Sequence, residues 1–372
     1  MAINIDLQPI FDEISTPSDG LNLSFSQLIY EKYVGAKSIT DLHNIQTGVK
    51  CGSKIPLADR GRNYDYMKAK DDLTSNCDFN ECDVTTTFSV KSWDTKEYNC
   101  KVTLCRKDLE CDFEKWWNEN GCNDADDVSD NFIKFLVDWI GSALVESHWT
   151  KVWFSDSSLA TSSTLYGADG LFIQMAAIAP PANVEQRVVI AENANATYAL
   201  QDTLAADTGF ETYSAMYDLA LENMALAGNE TNLGIETTQK LAVNYLQYLR
   251  ANNQVNCCFK SDVTEGKYRL DNLNIFGLPI RIRTEWDEII RGTKSKTDTT
   301  PIFAELNDGT RWTEPHRAVL TYKENIPVGV CNAGKLENVD VLYNPYDRNI
   351  SIASEYEIGA TVIWDDEFIL GQ

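Results

Sequence analysis

Three observations predict an α+β fold for this chain of 372 residues. Between Asp127 and Phe154, apolar side chains recur at three- and four-residue spacing, the period of a helix with one broad apolar face. The regions on either side alternate apolar and polar residues with the period of strands. A second helical block at 200–253 then gives way to a strand-rich end.

The helix at 127–154 is the predicted spine. Its apolar face is Phe132, Phe135, Leu136, Trp139, Ile140, Ala143, Leu144, Trp149, Val152 and Trp153. The acidic run Asn123 to Asp130 offers caps for the free N–H groups of its first turn and suits the positive end of its dipole. At 1.5 Å per residue the rod would be ~40 Å long. Gly141-Ser142-Ala143 forms a small-residue notch at its middle.

Ahead of the spine, residues 1–46 are polar and mixed, with a short helix expected within Leu21 to Tyr33. They read as an extended arm or a frayed terminus. Val84 to Val90 and Tyr98 to Leu104 alternate as strands, with Lys91 to Glu97 as their expected turn. Gly52 to Asn80 is polar with few apolar anchors, and reads as a long hairpin reaching off the body or as a surface loop. Glu110 to Asn120, with Phe113, Trp116 and Trp117, is expected to be a short helix.

Beyond the spine comes a Ser/Thr loop, Ser155 to Thr164, and then Tyr166 to Met175, where Gly167 and Gly170 mark a tight turn into an apolar segment. Val184 to Ile190 is the next expected strand. Two helical stripes follow: Tyr213, Met216, Tyr217, Leu219, Ala220 and Met224, stopped by Gly228-Asn229, and then Leu241, Val243, Tyr245, Leu246 and Leu249. Further strands are expected at Tyr268 to Leu270 and Leu273 to Ile282, the latter bulged or at an edge because Pro279 has no N–H. Ala318 to Tyr322, Val339 to Tyr343, Ile350 to Glu355 and Ala360 to Trp364 complete the end, with a turn at Asn344 to Asp347.

Composition narrows function. With 32 basic and 56 acidic residues the net charge is −24, which argues against a surface that reads nucleic acid. No apolar run approaches a membrane span, and the N-terminus lacks the basic and apolar regions of a signal peptide, so a cytoplasmic protein is expected. Of ten cysteines, seven fall between Cys51 and Cys122. Reduced and buried as small apolar residues is the leading expectation for them; a metal site or a late disulfide is the other.

No Walker-type glycine loop, Gly-x-Ser-x-Gly elbow or His-Glu-x-x-His pattern occurs. The three histidines are His43, His148 and His316; His148 among tryptophans suits a core or a helix end, and His316 after Pro315 a strand start. Asp124 to Asp130 lacks the central Gly and closing Glu of a calcium loop, and Asp365-Asp366-Glu367 reads as a solvated turn. No catalytic, cofactor-binding or metal-ligating residue is therefore assigned, and no cofactor is expected.

The order of elements (arm, long hairpin, spine helix, Gly turn, α/β region, closing strands) resembles the major capsid protein of tailed bacteriophages, the Hong Kong 97-type fold. Gly167-Ala168-Asp169-Gly170-Leu171-Phe172 is similar to that family's small Gly-rich segment after the spine. Asn274-Ile275-Phe276-Gly277-Leu278-Pro279-Ile280 is similar to its apolar-Gly-x-Pro-apolar strand. Val339 to Tyr343 with Ile350 to Ile363 is similar to its closing strands. The resemblance covers most of the chain from residue 47 onward.

The resemblance implies an N-terminal arm at 1–46, an extended loop at 47–111, a peripheral domain with the spine at 112–169, a mainly axial domain at 170–335, and peripheral closing strands at 336–372. It implies a non-enzymatic homo-oligomer of hexameric and pentameric capsomers, forming an icosahedral shell around double-stranded DNA without sequence-specific binding. Portal protein, and scaffold or decoration proteins where used, would be its partners. It would have no membrane contact, and would reside in the virion after assembly in the bacterial host cytoplasm. The acidic charge would keep packaged DNA from sticking to the wall. With only 46 residues before the hairpin, a separate scaffold, or none, is implied. Some relatives join subunits through Lys–Asn isopeptide bonds; Lys68, Lys70, Asn344 and Asn349 are of the right types, but no such role is carried over to them. An encapsulin-type cellular cage around cargo protein, and an enzyme whose metal site is hidden in sequence, are the alternatives.

Overall fold

The computed structural model describes residues 39, 43–59, 87–105, 144, 147–224, 233–252, 273–292, 301–332, 340–344 and 349–372. Their architecture is α+β, with helices packed on a mixed six-stranded sheet, a second five-stranded sheet and a separate two-stranded ribbon.

The six-stranded sheet runs β5 (Arg187–Val188), β13 (Phe368–Gly371), β9 (Ala318–Tyr322), β6 (Leu233–Thr237), β8 (Leu278–Ile282), β7 (Asn274–Ile275). Its central strands are buried on both faces, and period two sends neighbouring residues into different cores. Val319, Phe368 and Leu370 join a core on one face, built with Trp149 and Trp153 from the helical residues 147–153 (α1), with α2 (Leu171–Ile178) and with α6 (Thr284–Arg291). Leu320 and Ile369 join a core on the other face, built with α4 (Thr208–Asn223) and α5 (Gln239–Ala251). A short helix, α3 (Tyr198–Asp202), precedes α4 with Thr197 as its N-cap.

The five-stranded sheet is organised on β12 (Asn349–Ala360). Along one edge β12 pairs with β4 (Lys96–Cys105) over the whole run from Asn349↔Cys105 to Ile358↔Lys96. Along its other edge lie β11 (Asp340–Asn344) and β10 (Val328–Val330), and β1 (Ile45–Thr47) pairs parallel to β10. The spine's end packs here: Ser147 Oγ is 2.9 Å from Tyr356 Oη, and the His148 ring stands edge-on to Tyr356 at 4.7 Å.

Several expectations are corrected. Among the described residues, the strand expected at Val84 to Val90 and that at Tyr98 to Leu104 do not pair with each other. β3 (Thr87–Ser92) pairs instead with β2 (Lys54–Asp59), a strand in the stretch expected to be a long hairpin or a surface loop, and β4 leaves to join β12. The cause is Trp93, buried against Gly329, which draws the chain through the body where a turn was expected. Val184 to Ile190 contracts to the two residues of β5. A fully buried strand, β6, separates the two helical stripes of 200–253, and its neighbouring apolar run was too short to announce it. Leu273 to Ile282 is a hairpin: Phe276 (φ 50°) and Gly277 (φ 89°) turn the chain between β7 and β8. Ile350 to Glu355 and Ala360 to Trp364 become the single strand β12 and the turn after it, and β13 follows, unexpected because an acidic turn precedes it.

Ala318 to Tyr322 and Val339 to Tyr343 lie within a residue of β9 and β11. Of the spine, residues 144 and 147–153 are helical, and the remainder lies outside the described residues, as do the arm, the helices expected at 21–33 and 110–120, and the acidic run at 124–130. Cys51 and Cys100 are exposed and Cys331 is half-buried, contrary to the core placement expected of these three; the side chains of the other seven cysteines lie outside the description. Cys51 lies in the polar turn before β2 and Cys100 on a solvent-facing stretch of β4, where an apolar side chain has no core to enter.

Candidate assembly surfaces

The β2–β3 ribbon stands apart from both cores. Its register, Ile55↔Lys91 and Pro56↔Val90, puts Ile55, Leu57, Ser89 and Lys91 on one face. Leu57 is buried there, while Pro56 and Val90 on the opposite face are exposed, Val90 to 60%. The ribbon is fastened at its base. Lys91 Nζ donates to Val362 O at 2.9 Å and pairs with Asp365. Glu357 Oε1 accepts from Thr95 Oγ1 at 2.5 Å and from the Cys51 N–H at 3.3 Å. Trp93 is the anchor that sequence reasoning missed. Its signal was a lone tryptophan between two alternating runs.

The Gly167–Gly170 turn joins the spine's end, β4 and α2. A Cβ on Gly170 would meet the Trp153 carbonyl carbon at 2.7 Å, so only glycine allows the turn to lie against the helix. A Cβ on Gly167 would strike the Tyr98 hydroxyl, which accepts the Ala168 N–H at 3.1 Å. Two lysines fill the carbonyl acceptors: Lys96 Nζ donates to Gly167 O at 2.9 Å and Lys151 Nζ to Tyr166 O at 3.1 Å. Burial lowers the Lys151 ammonium's pKa. The turn is thus a structural clasp, with its polar groups turned onto its own chain.

A cleft of about 1000 Å³ opens where α3, α5 and α6 meet. Asp202 is held by Lys240 and by Arg291 (2.9 Å), and Asp287 Oδ2 accepts the Gln239 N–H at 2.6 Å. Burial pushes the Asp287 carboxyl up to about 6 despite Arg291 and Lys240 nearby. Asp202, Lys240, Asp287 and Arg291 thus already have partners from the chain itself.

The histidines are core residues. His43 Nδ1 donates to Ile326 O at 2.6 Å and its ring lies 5.5 Å from Trp153. Burial lowers its pKa to about 3, and those of His148 and His316 to about 4. His316 Nε2 donates to Gln201 O at 2.7 Å. Among the described residues no three His, Cys, Asp or Glu side chains gather to hold a metal ion, and no helix is long and apolar enough to cross a membrane. Asp365 and Asp366 are exposed, as a solvated turn requires, though Asp365 also serves Lys91. Asn344 and Asn349 face each other across the β11–β12 pairing, while Lys68 and Lys70 lie outside the described residues.

No protein-family model and no curated protein matches the chain. Among solved structures, the chain is similar to one described as "Satellite phage P4 procapsid including size determination (Sid) protein", at 11% identity and TM-score 0.46, covering 93% of this chain and 98% of that one. It is similar to a structure from Gordonia phage Cozz at 13% identity and TM-score 0.45, covering 90% and 85%. A third likeness, to "Capsid of Ralstonia phage GP4", has 10% identity and TM-score 0.45, and covers 90% of each chain.

Proposed function

We propose that this chain is a major capsid protein: a non-enzymatic subunit that self-assembles into five- and six-membered rings of an icosahedral shell around double-stranded DNA. The observation that supports it best is the β2–β3 ribbon, fastened at its base and presenting exposed Pro56 and Val90 on its outer face. A two-stranded ribbon is marginally stable by itself, and it gains order by lying on something else. A neighbouring subunit is the surface that the order of elements assigns to it.

In that scheme residues 1–46 are an arm across a neighbour and 47–111 hold the extended loop. The spine at 112–169 and the strands at 336–372 form a peripheral domain, and 170–335 is mainly an axial domain facing the ring centre. Many copies of a modest contact, linked by extended segments, stabilise the shell. The charge of −24 keeps packaged DNA mobile against the wall. Basic charge gathered on the inner face would contradict that last point. Portal protein, and scaffold or decoration proteins where used, are the further partners, in a particle assembled in the bacterial cytoplasm.

Electron microscopy of the purified chain, made with and without its neighbouring genes, tests the proposal. Closed shells or isolated five- and six-membered rings are the expected result. A uniform monomer or small dimer under every condition overturns it. DNA inside the particles separates a viral shell from a cellular cage, which would hold protein cargo.

A further inference from the structure

The six-stranded sheet carries exposed apolar side chains at each of its two edges. At the β7 edge, Phe276 sits at the tip of the β7–β8 turn with its side chain 56% exposed, and its ring lies 4.9 Å from that of Tyr217 on α4. Leu221, four residues on from Tyr217 and so on the same helix face, is 54% exposed. At the β5 edge, Val184 and Val189 flank the strand and are 71% and 65% exposed. Strands β13, β9, β6 and β8 separate the two edges.

Phe276 is poorly chosen for its turn. Its φ of 50° is left-handed, where Asn or Gly is favoured and a bulky side chain is strained. Water gives no reason to hold a large aromatic ring there, whereas an apolar partner does: aromatic anchors dominate protein interfaces. Unlike sets of exposed apolar side chains at opposite edges of one sheet are what a head-to-tail contact requires. A two-fold contact would need only one patch, facing its own copy.

We propose that Phe276, with Tyr217 and Leu221, docks against Val184 and Val189 at the β5 edge of a second copy of this chain, the contact repeating head to tail around a ring. This deepens the shell-protein proposal and rests on it.

The test uses the full chain and three variants: Phe276→Glu, Val189→Lys, and the two combined. Assembly is followed by sedimentation and electron microscopy across a concentration series. Both sites are exposed, so each variant should keep the wild-type thermal midpoint. Each single variant is expected to remain a single chain at concentrations at least about tenfold above those at which the wild type forms rings. The double variant, which sets Glu against Lys in every contact, is expected to form rings again. Were Phe276→Glu to misfold, Phe276→Asn, which suits the left-handed turn, takes its place, with loss of rings as the expected result. Single variants that assemble like the wild type, or a double variant that stays dissociated, overturn the contact and leave the shell proposal standing. A wild-type chain that never assembles overturns the shell proposal and the contact with it.

Discussion

On one face of the six-stranded sheet, Trp153 meets Phe172 at 5.0 Å and Trp286 at 4.6 Å, with His43 and His148 buried nearby. On the other face, Tyr213, Met216, Leu241, Tyr245 and Leu249 pack from two adjacent helices. The first core gathers segments from Ile39 to Leu370, while the second draws mostly on residues 188 to 282. The long-range core is therefore where distant parts of the chain lock together. The local core is a helical layer laid onto a shared wall. Because Val319 and Leu320 are neighbours that face opposite cores, damage to either side reaches the other through the sheet.

The sharpest way to break this comparison is to empty each core in turn. Trp153→Ala removes a fully buried ring from the centre of the aromatic cluster and should cost about 3–5 kcal/mol. Leu241→Ala, equally buried on the other side, should cost about 2–5 kcal/mol and at the lower end, since α4 and α5 can settle toward each other. Urea unfolding followed by tryptophan fluorescence and by far-UV circular dichroism checks both. Coincident transitions in each variant would show one cooperative unit. A variant that loses tryptophan burial while keeping its helices would show that the wall does not couple the two cores.

Next in size is the polar seam on β6. Glu236 is 2% exposed and bound by Arg283 and, at 3.0 Å, by Arg281. Glu236→Ala leaves the guanidinium of Arg283, itself mostly buried, without its carboxylate. A destabilisation of about 3 kcal/mol is expected, read by the same urea titration. An effect below about 1 kcal/mol would mean that Arg283 swings to water.

Acid should act on the buried histidines. Burial holds His43 near 3 and His148 and His316 near 4, against an ordinary histidine value of 6.5. Below pH 6.5 the unfolded chain takes up protons that the folded chain refuses. Stability is thus fully present above that pH and falls as pH drops toward 4, by about 1.4 kcal/mol per pH unit for each proton. Asp287 works in the opposite sense. Raised from 3.8 to about 6, it takes a proton in the folded state first and so adds stability as pH falls through 6. Three histidines outweigh one aspartate, so the thermal midpoint should drop between pH 6.5 and 4. In Asp287→Asn the drop should be steeper below pH 6. A flat profile would place the histidines in contact with water.

The same contrast explains what was legible in the sequence. The stripes at Tyr213 to Met224 and Leu241 to Leu249 read correctly because a helix writes its core face into its own spacing. β9 read correctly because Ala318 to Tyr322 is a compact apolar run. The pairing of β4 with β12 joins residues 244 to 262 positions apart, and nothing local in Tyr98 to Leu104 points to Ile350. The ribbon was read with the wrong second strand for the same reason, since Trp93 sends the chain away from its nearest alternating neighbour. β13 and β6 were missed because a short buried strand has no period of its own to show. The resemblance of element order carried the functional proposal further than any single motif, whereas the exposed faces of the ribbon and of the β7–β8 turn emerge only from register and burial.

The smallest effect concerns Phe276, and it runs against the sign of most substitutions. Asn at this position accepts the left-handed conformation that Phe resists, so Phe276→Asn should stabilise the isolated chain by about 1 kcal/mol. The thermal midpoint of the unassembled chain should accordingly rise. Ring formation by the same variant should weaken, because the ring that suffers the strain is also the proposed anchor. A residue kept only for its turn would show the first effect without the second. A residue whose ring packs chiefly on Tyr217 within its own chain would show neither, because the lost contact at 4.9 Å would cancel the relief of strain. Opposite signs in the two measurements are the expected mark of a side chain whose cost in the folded monomer is offset in the assembled ring.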